Sequence, residues 1–269
     1  MKKILVPTDF SPVADNAIEH AIGIAAAFQS ELYLYHVYSI NKVDYNLNVP
    51  AEEQPVRKLC ERKMRLTEMK YSNALTQQGL SVKTVVEDDT IFALFKRKAK
   101  EHKISLIVMG SKGATGLKRV VFGSVAAAAL EMAGVPVLVV PPGHTFRPLQ
   151  NIVLAIDQQE LSKEDLLPLQ KLATTFGAKV TLLYVKTGSA NKSHEQIASC
   201  LAGVESTYRE VPLVNSINES TNAFTKSQDC DLLCMVRRER GFFESFFKKS
   251  ITEEQVYNSD IPLLVLPEK

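Results

Sequence analysis

The sequence has no tryptophan, few cysteines and no long apolar run. Four cysteines among 269 residues are too few for the disulfide framework of a small secreted domain. No apolar stretch approaches the ~20 residues that a membrane-spanning helix needs. The N-terminal stretch reaches Pro7 and Asp9 too early for a secretory signal. These absences predict a reduced, cytoplasmic protein without a membrane span.

The sequence also lacks a large excess of either charge, because 32 basic and 30 acidic side chains leave a net charge of only +2. This balance gives no general attraction to nucleic acid. A composition of 45% hydrophobic and 23% charged residues excludes a disordered or fibrous chain. At 100–200 residues per domain, the length predicts two globular domains.

No metal site is indicated. Cys230 and Cys234 border the apolar run Leu232–Met235 without a second cysteine pair or a nearby histidine, so we interpret them as core thiols. The five histidines do not pair at metal-ligand spacing. No arrangement of serine, histidine and aspartate predicts a catalytic triad.

The chain contains one unit twice. Lys3–Asp9 recurs as Asn151–Asp157, and Phe28–Val37 recurs as Phe176–Val185, each with an offset of 148 residues. Leu106–Met109 recurs as Leu232–Met235, and Val135–Leu138 recurs as Ile261–Leu264, each with an offset of 126. The second copy is therefore 22 residues shorter in the region that corresponds to positions 40–80 of the first. The extra residues of the first copy could form a lid or a dimer contact, and the sequence favours neither. Predicted domains are residues 1–142 and 149–269, which the loop Pro141-Pro142-Gly143 separates.

Strand and helix patterns alternate in each copy. In the first copy the predicted strands are Ile4–Val6, Leu32–Val37, Val82–Val86, Leu106–Met109 and Pro136–Val140. Predicted helices cover residues 12–28, 51–78, 90–102 and 124–133, with a loop over 39–50. The fold class is therefore α/β, with two tandem open parallel five-stranded sheets that carry helices on both faces. Ligands of such sheets bind at the carboxyl ends of the strands, which predicts a site among Asp9, Val37 and Gly110.

A glycine-rich loop follows the strand Leu106–Met109. Its glycines at 110, 113 and 123 predict a backbone that takes positive φ and approaches an anion closely. Gly123-Ser124 begins a helix whose free N–H groups would form a phosphate seat. Countercharges are available from Lys112, Lys118 and Arg119. A flexible surface loop with a glycine cap is the alternative interpretation.

The spacing Gly110-x2-Gly113-x9-Gly123-Ser124 resembles the ATP-binding pattern of the universal stress protein family. Val6-Pro7-Thr8-Asp9-x-Ser11 and the closing strand Val135–Val140 resemble the same family, so the resemblance covers two consecutive family domains. It implies a Rossmann-like fold similar to that of the adenine nucleotide alpha hydrolases. It also implies a two-domain chain that mimics a homodimer through the last strands, and a further homodimer stays open.

Site residues follow from this resemblance. It implies that Asp9 bonds the ribose hydroxyls, that Pro7, Thr8 and the Val37 backbone flank the adenine, and that Met109 lines the base pocket. The residues that would surround the phosphates are Gly110, Ser111, Lys112, Gly113, Gly123, Ser124 and Val125. The implied cofactor is ATP, with Mg²⁺ as the usual divalent cation.

The second copy departs from the glycine pattern. At the offset of 126, Gly110 becomes Val236, Gly113 becomes Glu239 and Gly123 becomes Lys249, while Ser124 persists as Ser250. Val236 would resist a positive φ, and Glu239 would repel phosphate. We therefore expect the second domain not to hold ATP in the same manner. Its phenylalanine pairs, at 242–243 and 246–247, either fill the vacated pocket or dock a partner, an acyl chain or a membrane surface.

The sequence is compatible with three functions. The first is a regulatory stress-response protein that binds ATP in its N-terminal domain without an enzymatic step. The second is a slow ATPase or an adenylyl-transferring enzyme, in which Asp9, Ser111 and Lys112 would stabilise charge or bind metal. The third is a nucleotide-free scaffold or a binder of lipid-like molecules through the phenylalanine-rich segment.

Overall fold

The structure is a computed structural model that describes residues 1–39, 53–111, 123–188, 193–238 and 260–269. Several predicted features lie outside these residues. They are Lys112 and Gly113 of the predicted site, the countercharges Lys118 and Arg119, most of the loop over 39–50, and the phenylalanine pairs with Glu239, Lys249 and Ser250.

Five strands and five helices alternate in the described part of the first half. The strands are β1 Lys3–Pro7, β2 Glu31–Tyr38, β3 Val82–Asp88, β4 Leu106–Gly110 and β5 Val137–Val140. The helices are α1 Pro12–Phe28, α2 Glu53–Gln77, α3 Ile91–Ala93, α4 Ala99–Glu101 and α5 Ser124–Met132. A π-helical turn, Leu94–Lys98, joins α3 to α4, so the helix predicted over 90–102 is present but locally widened.

The second half repeats this order with a shorter second helix. Its described strands are β6 Asn151–Ile156, β7 Lys179–Lys186, β8 Ser206–Pro212, β9 Leu232–Arg237 and β10 Leu263–Pro267. Its described helices are α6 Lys163–Phe176, α7 His194–Cys200 and α8 Ile217–Ser227. The 25 residues of α2 correspond to only 7 in α7, which locates much of the length difference between the copies.

The described strands form one sheet in the order β3-β2-β1-β4-β5-β10-β9-β6-β7-β8. Strand pairing is parallel within each half and antiparallel only where β5 meets β10, with Val139 opposite Leu263. The prediction of two five-stranded parallel sheets with helices on both faces is confirmed, and the two sheets are continuous. In the first half the strand order reverses between β1 and β4, where an α/β sheet opens a crevice at the carboxyl ends of its strands.

Local signals explain why α1 forms where the sequence predicts it. Ser11 is the N-cap, and its hydroxyl accepts a hydrogen bond from the Ala14 amide at 3.2 Å, while Pro12 supplies the fixed φ that suits a first helical position. The helix ends at Gln29, which adopts a left-handed conformation with φ of 50°. Small alanines along its buried face let α1 pack closely on the sheet.

The core has one apolar layer on each face of the sheet. Ile18 of α1, Met64 of α2 and Leu169 of α6 belong to one layer, and Phe95 and Ala129 belong to the other. All four cysteines are buried and free, which confirms the interpretation of Cys230 and Cys234 as core thiols. Among the helices of the described residues, none has the length and apolarity that crossing a membrane requires.

Candidate functional site

A cleft of about 400 Å³ opens at the carboxyl ends of β1 and β4 in the first half. This volume falls within the ~300–1,000 Å³ of small-molecule sites. Predicted site residues that line it are Pro7, Thr8, Asp9, Val37, Met109, Gly110, Gly123, Ser124 and Val125. Ser111 is buried directly after Gly110, and Lys112 and Gly113 lie outside the described residues. Residues that are up to 118 positions apart in the chain (7 to 125) therefore meet at one place.

The loop after β1 is fixed by its own side chains. The Thr8 amide donates to the Tyr35 carbonyl at 2.9 Å, and the Thr8 hydroxyl accepts from the Phe10 amide at 3.0 Å. The Asp9 carboxylate accepts from the Ser11 amide at 3.0 Å, which is an Asx turn. Asp9 thus has both a local structural bond and an exposed position at the cleft.

Phe10 has an uncommon conformation for a bulky residue. Its φ is +64°, a region that costs free energy for side chains of this size and that is concentrated at functional sites. The centre of its ring lies 4.4 Å from that of the His36 ring and 5.6 Å from the Lys63 ammonium of α2. These contacts stabilise Phe10, the residue after Asp9, in its strained conformation.

His36 connects this loop to β2. Its Nδ1 lies 2.7 Å from the Thr8 carbonyl, so Nδ1 carries the proton and donates. Burial lowers the pKa of His36, although the Thr8 carbonyl and Asp9 act in the opposite direction and Lys63 adds to the lowering. The neutral imidazole therefore supports the backbone on which Thr8 and Asp9 lie.

The N-terminus of α5 forms the opposite wall of the cleft. Gly123 is its N-cap, and no described side chain caps the helix there. The backbone amides of the first turn are therefore available to an anion, and the helix dipole favours one. Next to them, the Ser111 hydroxyl is buried and has no hydrogen-bond partner among the described residues. A buried polar atom without a hydrogen-bond partner costs free energy, so this hydroxyl is expected to bind a group that the described residues do not supply.

The reason for glycine at position 110 differs from the prediction. Neither Gly110 nor Gly123 has a positive φ, since Gly123 is at −60° and Gly110 is not among the positive-φ residues. A Cβ at Gly110 would lie 2.6 Å from Val13 Cγ1 and 3.0 Å from the Val13 carbonyl oxygen. Gly110 therefore permits α1 to approach β4, and the expectation that Val236 would resist a positive φ was built on a wrong geometry.

The sequence reasoning missed other residues that line the cleft, namely Ala14, Tyr35, His36, Ile91 and Ala126. Alternation along β2 could have indicated Tyr35, because it points to the same face as Val37 two residues later. Tyr35 donates a hydrogen bond to the Glu87 carboxylate, and burial raises its pKa. No sequence pattern indicates Ile91, because its position depends on how α3 packs beside α5.

The corresponding place in the second half has a different arrangement. Arg238, the counterpart of Lys112 at the offset of 126, is buried with 7% of its surface exposed. Its guanidinium donates to the Asp157 carboxylate at 3.2 Å, to the Gln159 side chain and to the Glu160 carbonyl. Glu268 lies 3.4 Å from its Nε. A cation of the chain itself thus binds Asp157, the counterpart of Asp9.

The fold, the cleft and the glycine pattern agree with the result of the family comparison. The model of the universal stress protein family matches residues 1–141. The chain therefore belongs to the universal stress protein family.

Individual relatives are similar to the first half. The universal stress protein MJ0531 of Methanocaldococcus jannaschii is 33% identical over 141 residues, which are 52% of this chain and 81% of that protein. The universal stress protein MJ0577 of the same organism is 32% identical over 153 residues, or 52% of this chain and 94% of that protein. Both halves share their fold with a universal stress protein from Archaeoglobus fulgidus, with a TM-score of 0.76 at 17% identity over 99% of this chain and 98% of that one.

Proposed function

We propose that this chain is a regulatory, stress-response protein that binds ATP in the cleft of its first half. One observation carries the proposal: among the described residues, the Ser111 hydroxyl is buried without a hydrogen-bond partner beside the N-terminus of α5, which no described side chain caps. Both features favour an anion with several acceptor oxygens, and a triphosphate is such an anion. The cleft continues from there to Asp9 and Val37, which leaves room for a nucleoside.

Each wall of the cleft suits one part of the nucleotide. The Asp9 carboxylate can accept hydrogen bonds from vicinal ribose hydroxyls. Pro7, Val37 and Met109 present apolar surface and backbone to a flat base. Ser111 and the amides of Gly123, Ser124 and Val125 can donate to phosphate oxygens, and the family resemblance adds Lys112 and Gly113. The bound nucleotide would supply negative charge and binding energy that stabilise this arrangement.

We propose one nucleotide per chain and domains at 1–142 and 149–269, arranged as a pseudo-dimer through β5 and β10. The Arg238–Asp157 contact supports the single site, because a ribose would have to displace a buried guanidinium with several acceptors. For Mg²⁺, the described residues offer no group of three or more His, Cys, Asp or Glu side chains that could bind a metal. We therefore propose no metal site built from these residues.

Calorimetric titration of the full chain with ATP tests the site. We expect one equivalent to bind, and Asp9→Asn to weaken binding at least tenfold because a charged acceptor for two hydroxyls becomes neutral. Asp88→Asn is the matched control, since Asp88 is also an exposed carboxylate at a strand end but does not line the cleft. Two equivalents, no binding, or equal losses for both variants would contradict the proposal.

Ser111→Ala separates binding from folding. Removal of a buried hydroxyl without a partner should leave the unfolding free energy of the ATP-free chain unchanged or raise it by about 1 kcal/mol. The same variant should bind ATP several-fold more weakly. Loss of both stability and affinity would indicate that the hydroxyl has a structural partner. Radiolabelled ATP added to the wild-type chain tests whether the bound nucleotide is turned over.

A further inference from the structure

The second helix has two apolar faces, and the described residues cover only one of them. Its inner face consists of Cys60, Met64, Thr67, Tyr71 and Leu75, which are all buried at helical spacing. The outer face carries Leu59, Leu66 and Met69, which are 54%, 57% and 70% exposed. A helix on the surface of a globular protein normally presents polar side chains on this side. We call Leu59, Leu66 and Met69 the outer ridge.

The outer ridge belongs to the part of α2 that the second half lacks. Counted back from β8 and β3, α7 corresponds to the last residues of α2, from about Lys70 onward. The extra turns before Lys70 are therefore where the exposed apolar side chains lie. A 25-residue helix is about 37 Å long at 1.5 Å per residue, longer than the eight-residue strand β2. The side chains of residues 54–59 are all exposed, so the first turns project past the core.

Charge is distributed asymmetrically around this ridge. Arg62 lies on the ridge between Leu59 and Leu66, and Lys58 and Arg65 lie along one side of it. Glu61 and Glu68, the acidic residues between Leu59 and Met69, lie on the other side of the helix from the outer ridge, towards the edge of the inner face. The outer face therefore combines apolar and cationic side chains without a carboxylate from α2. Such a face is complementary to an apolar surface with negative charge.

The shape of this face decides between the classes of occupant. The inner side of α2 is anchored on the sheet, so the helix cannot enter a deep groove of another protein. Three side chains cover far less than the ~1,000 Å² of a specific protein interface. Two copies packed ridge to ridge would bring their Arg62 side chains together, which is unfavourable. A flat, fluid surface with anionic headgroups meets none of these obstacles.

We propose that the outer face of α2 docks the protein reversibly on anionic membranes. Leu59, Leu66 and Met69 would enter the boundary between headgroups and acyl chains, and Lys58, Arg62 and Arg65 would contact lipid phosphates. Docking of this kind is peripheral and depends on salt, because exposed cations supply part of the attraction. This role is independent of nucleotide binding in the cleft.

Flotation of the full chain with vesicles tests the proposal. We expect binding to vesicles of phosphatidylglycerol and phosphatidylcholine at low salt, and at least tenfold weaker binding to phosphatidylcholine alone. The triple variant Leu59→Gln, Leu66→Gln, Met69→Gln and the double variant Arg62→Gln, Arg65→Gln should each weaken binding at least tenfold. These residues are exposed, and circular dichroism should show unchanged helix content.

Two control variants match these changes elsewhere on the surface. Leu213→Gln with Val214→Gln removes exposed apolar side chains of the second half, and Lys96→Gln with Lys100→Gln removes exposed cations near the other face of the sheet. Both should bind anionic vesicles like the wild-type chain. Equal losses in controls and ridge variants would overturn the proposal, as would absence of vesicle binding.

Two other results would assign the ridge to a different occupant and also overturn the proposal. If the wild-type chain eluted as a dimer and the triple variant as a monomer, the outer ridge would be assigned to contact with a second copy. Retention on immobilised poly-L-glutamate without binding to anionic vesicles would assign it to an acidic protein.

Discussion

Asp9 and Asp157 occupy equivalent positions after the first strand of each half, and Arg238 accounts for much of the difference between them. The Arg238 guanidinium contacts Asp157, Gln159 and Glu160 of one loop and Glu268 of the last strand's end. It thereby joins the carboxyl ends of β6, β9 and β10. The guanidinium itself is buried, whereas the Asp157 and Glu268 side chains stay 23% and 46% exposed, so water can replace part of what they lose when it is removed.

We expect Arg238→Met to lower the free energy of unfolding by about 1–3 kcal/mol, since the partly exposed Asp157 carboxylate loses a charged hydrogen-bond donor. Urea unfolding followed by circular dichroism measures this loss. Arg97→Met is the control, because Arg97 is 57% exposed and pairs with Asp89 and Glu101 at the surface, where an ion pair contributes less than about 1 kcal/mol. A similar small loss for both variants would mean that the Arg238 contacts do not stabilise the fold.

His20, which is buried, and His144, which is half-buried, form a pair between α1 and the segment that joins the halves. His20 Nδ1 donates to the Asn16 carbonyl at 2.8 Å, so its Nε2 accepts from His144 Nδ1 at 2.8 Å. The pKa of His20 is lowered to about 4, mainly by burial and to a smaller extent by His144, although the Asn16 carbonyl acts in the opposite direction. Burial and Arg147 also lower the pKa of His144, against the effect of Asp231.

Acid should therefore destabilise the protein through this pair. The unfolded chain binds a proton on each histidine near pH 6.5, whereas folded His20 does so only near pH 4. Stability contributed by neutral His20 is present above pH 6.5 and is lost as the pH falls towards 4, by roughly 3 kcal/mol. His20→Gln should unfold with a weaker pH dependence than the wild-type chain in urea titrations at pH 7.5 and 5. Parallel pH profiles would contradict this assignment.

At the scale of elements, the contact between α1 and β4 depends on Gly110. The nearest atoms to a Cβ at this position are Val13 Cγ1 at 2.6 Å and the Val13 carbonyl oxygen at 3.0 Å. We expect Gly110→Ala to destabilise the fold by about 1–3 kcal/mol through overpacking. Val13→Ala should recover part of this loss, because it removes the nearer atom, while the carbonyl remains.

A double-mutant cycle of Val13→Ala and Gly110→Ala by urea unfolding measures this coupling. Additive effects would mean that Gly110 is required for another reason, such as a backbone conformation in the ATP-bound state. For the same reason Gly110 is a poor position at which to test nucleotide binding. Changes there alter helix packing before they alter the cleft.

Signals that act over a few residues predicted elements well. Ser11 and Pro12 fix the start of α1, and its bounds agree with the predicted 12–28. The π-helical turn at Leu94–Lys98 was not predictable, because one extra residue per turn leaves no local mark in an apolar pattern. The reason for Gly110 was likewise missed, since it depends on the distance to a helix whose contact residue, Val13, lies 97 positions earlier (110 to 13).

At the scale of the molecule, internal repeats predicted the tandem architecture. They could not predict the contacts between copies, because equal sequences in two halves say nothing of where the halves meet. The family resemblance implied a contact through the last strands, but the antiparallel register of β5 with β10 and the ring contact between Phe28 and Phe176, 6.5 Å apart, became visible only in the structure. So did the bond of Arg238 to Asp157, although the loss of the glycine pattern had indicated a changed second site.

One contact between the halves connects the second half to the cleft of the first. The Arg237 guanidinium of β9 donates to the Leu130 carbonyl and, at 3.2 Å, to the Ala133 carbonyl. These carbonyls lie at the C-terminal end of α5, where a cation also favours the helix dipole. The N-terminus of the same helix lines the cleft, and nine residues place the two ends only about 13 Å apart.

We therefore expect Arg237→Met to weaken ATP binding about three- to tenfold, because the last turn of α5 loses its cap and the amides at the other end lose a fixed position. Calorimetric titration measures the effect, and Arg237→Lys should restore part of it. Arg209→Met, an exposed arginine of β8, is the control and should bind like the wild-type chain. If Arg237→Met lowers the unfolding free energy but leaves ATP affinity unchanged, the contact fastens the halves together without supporting the nucleotide site.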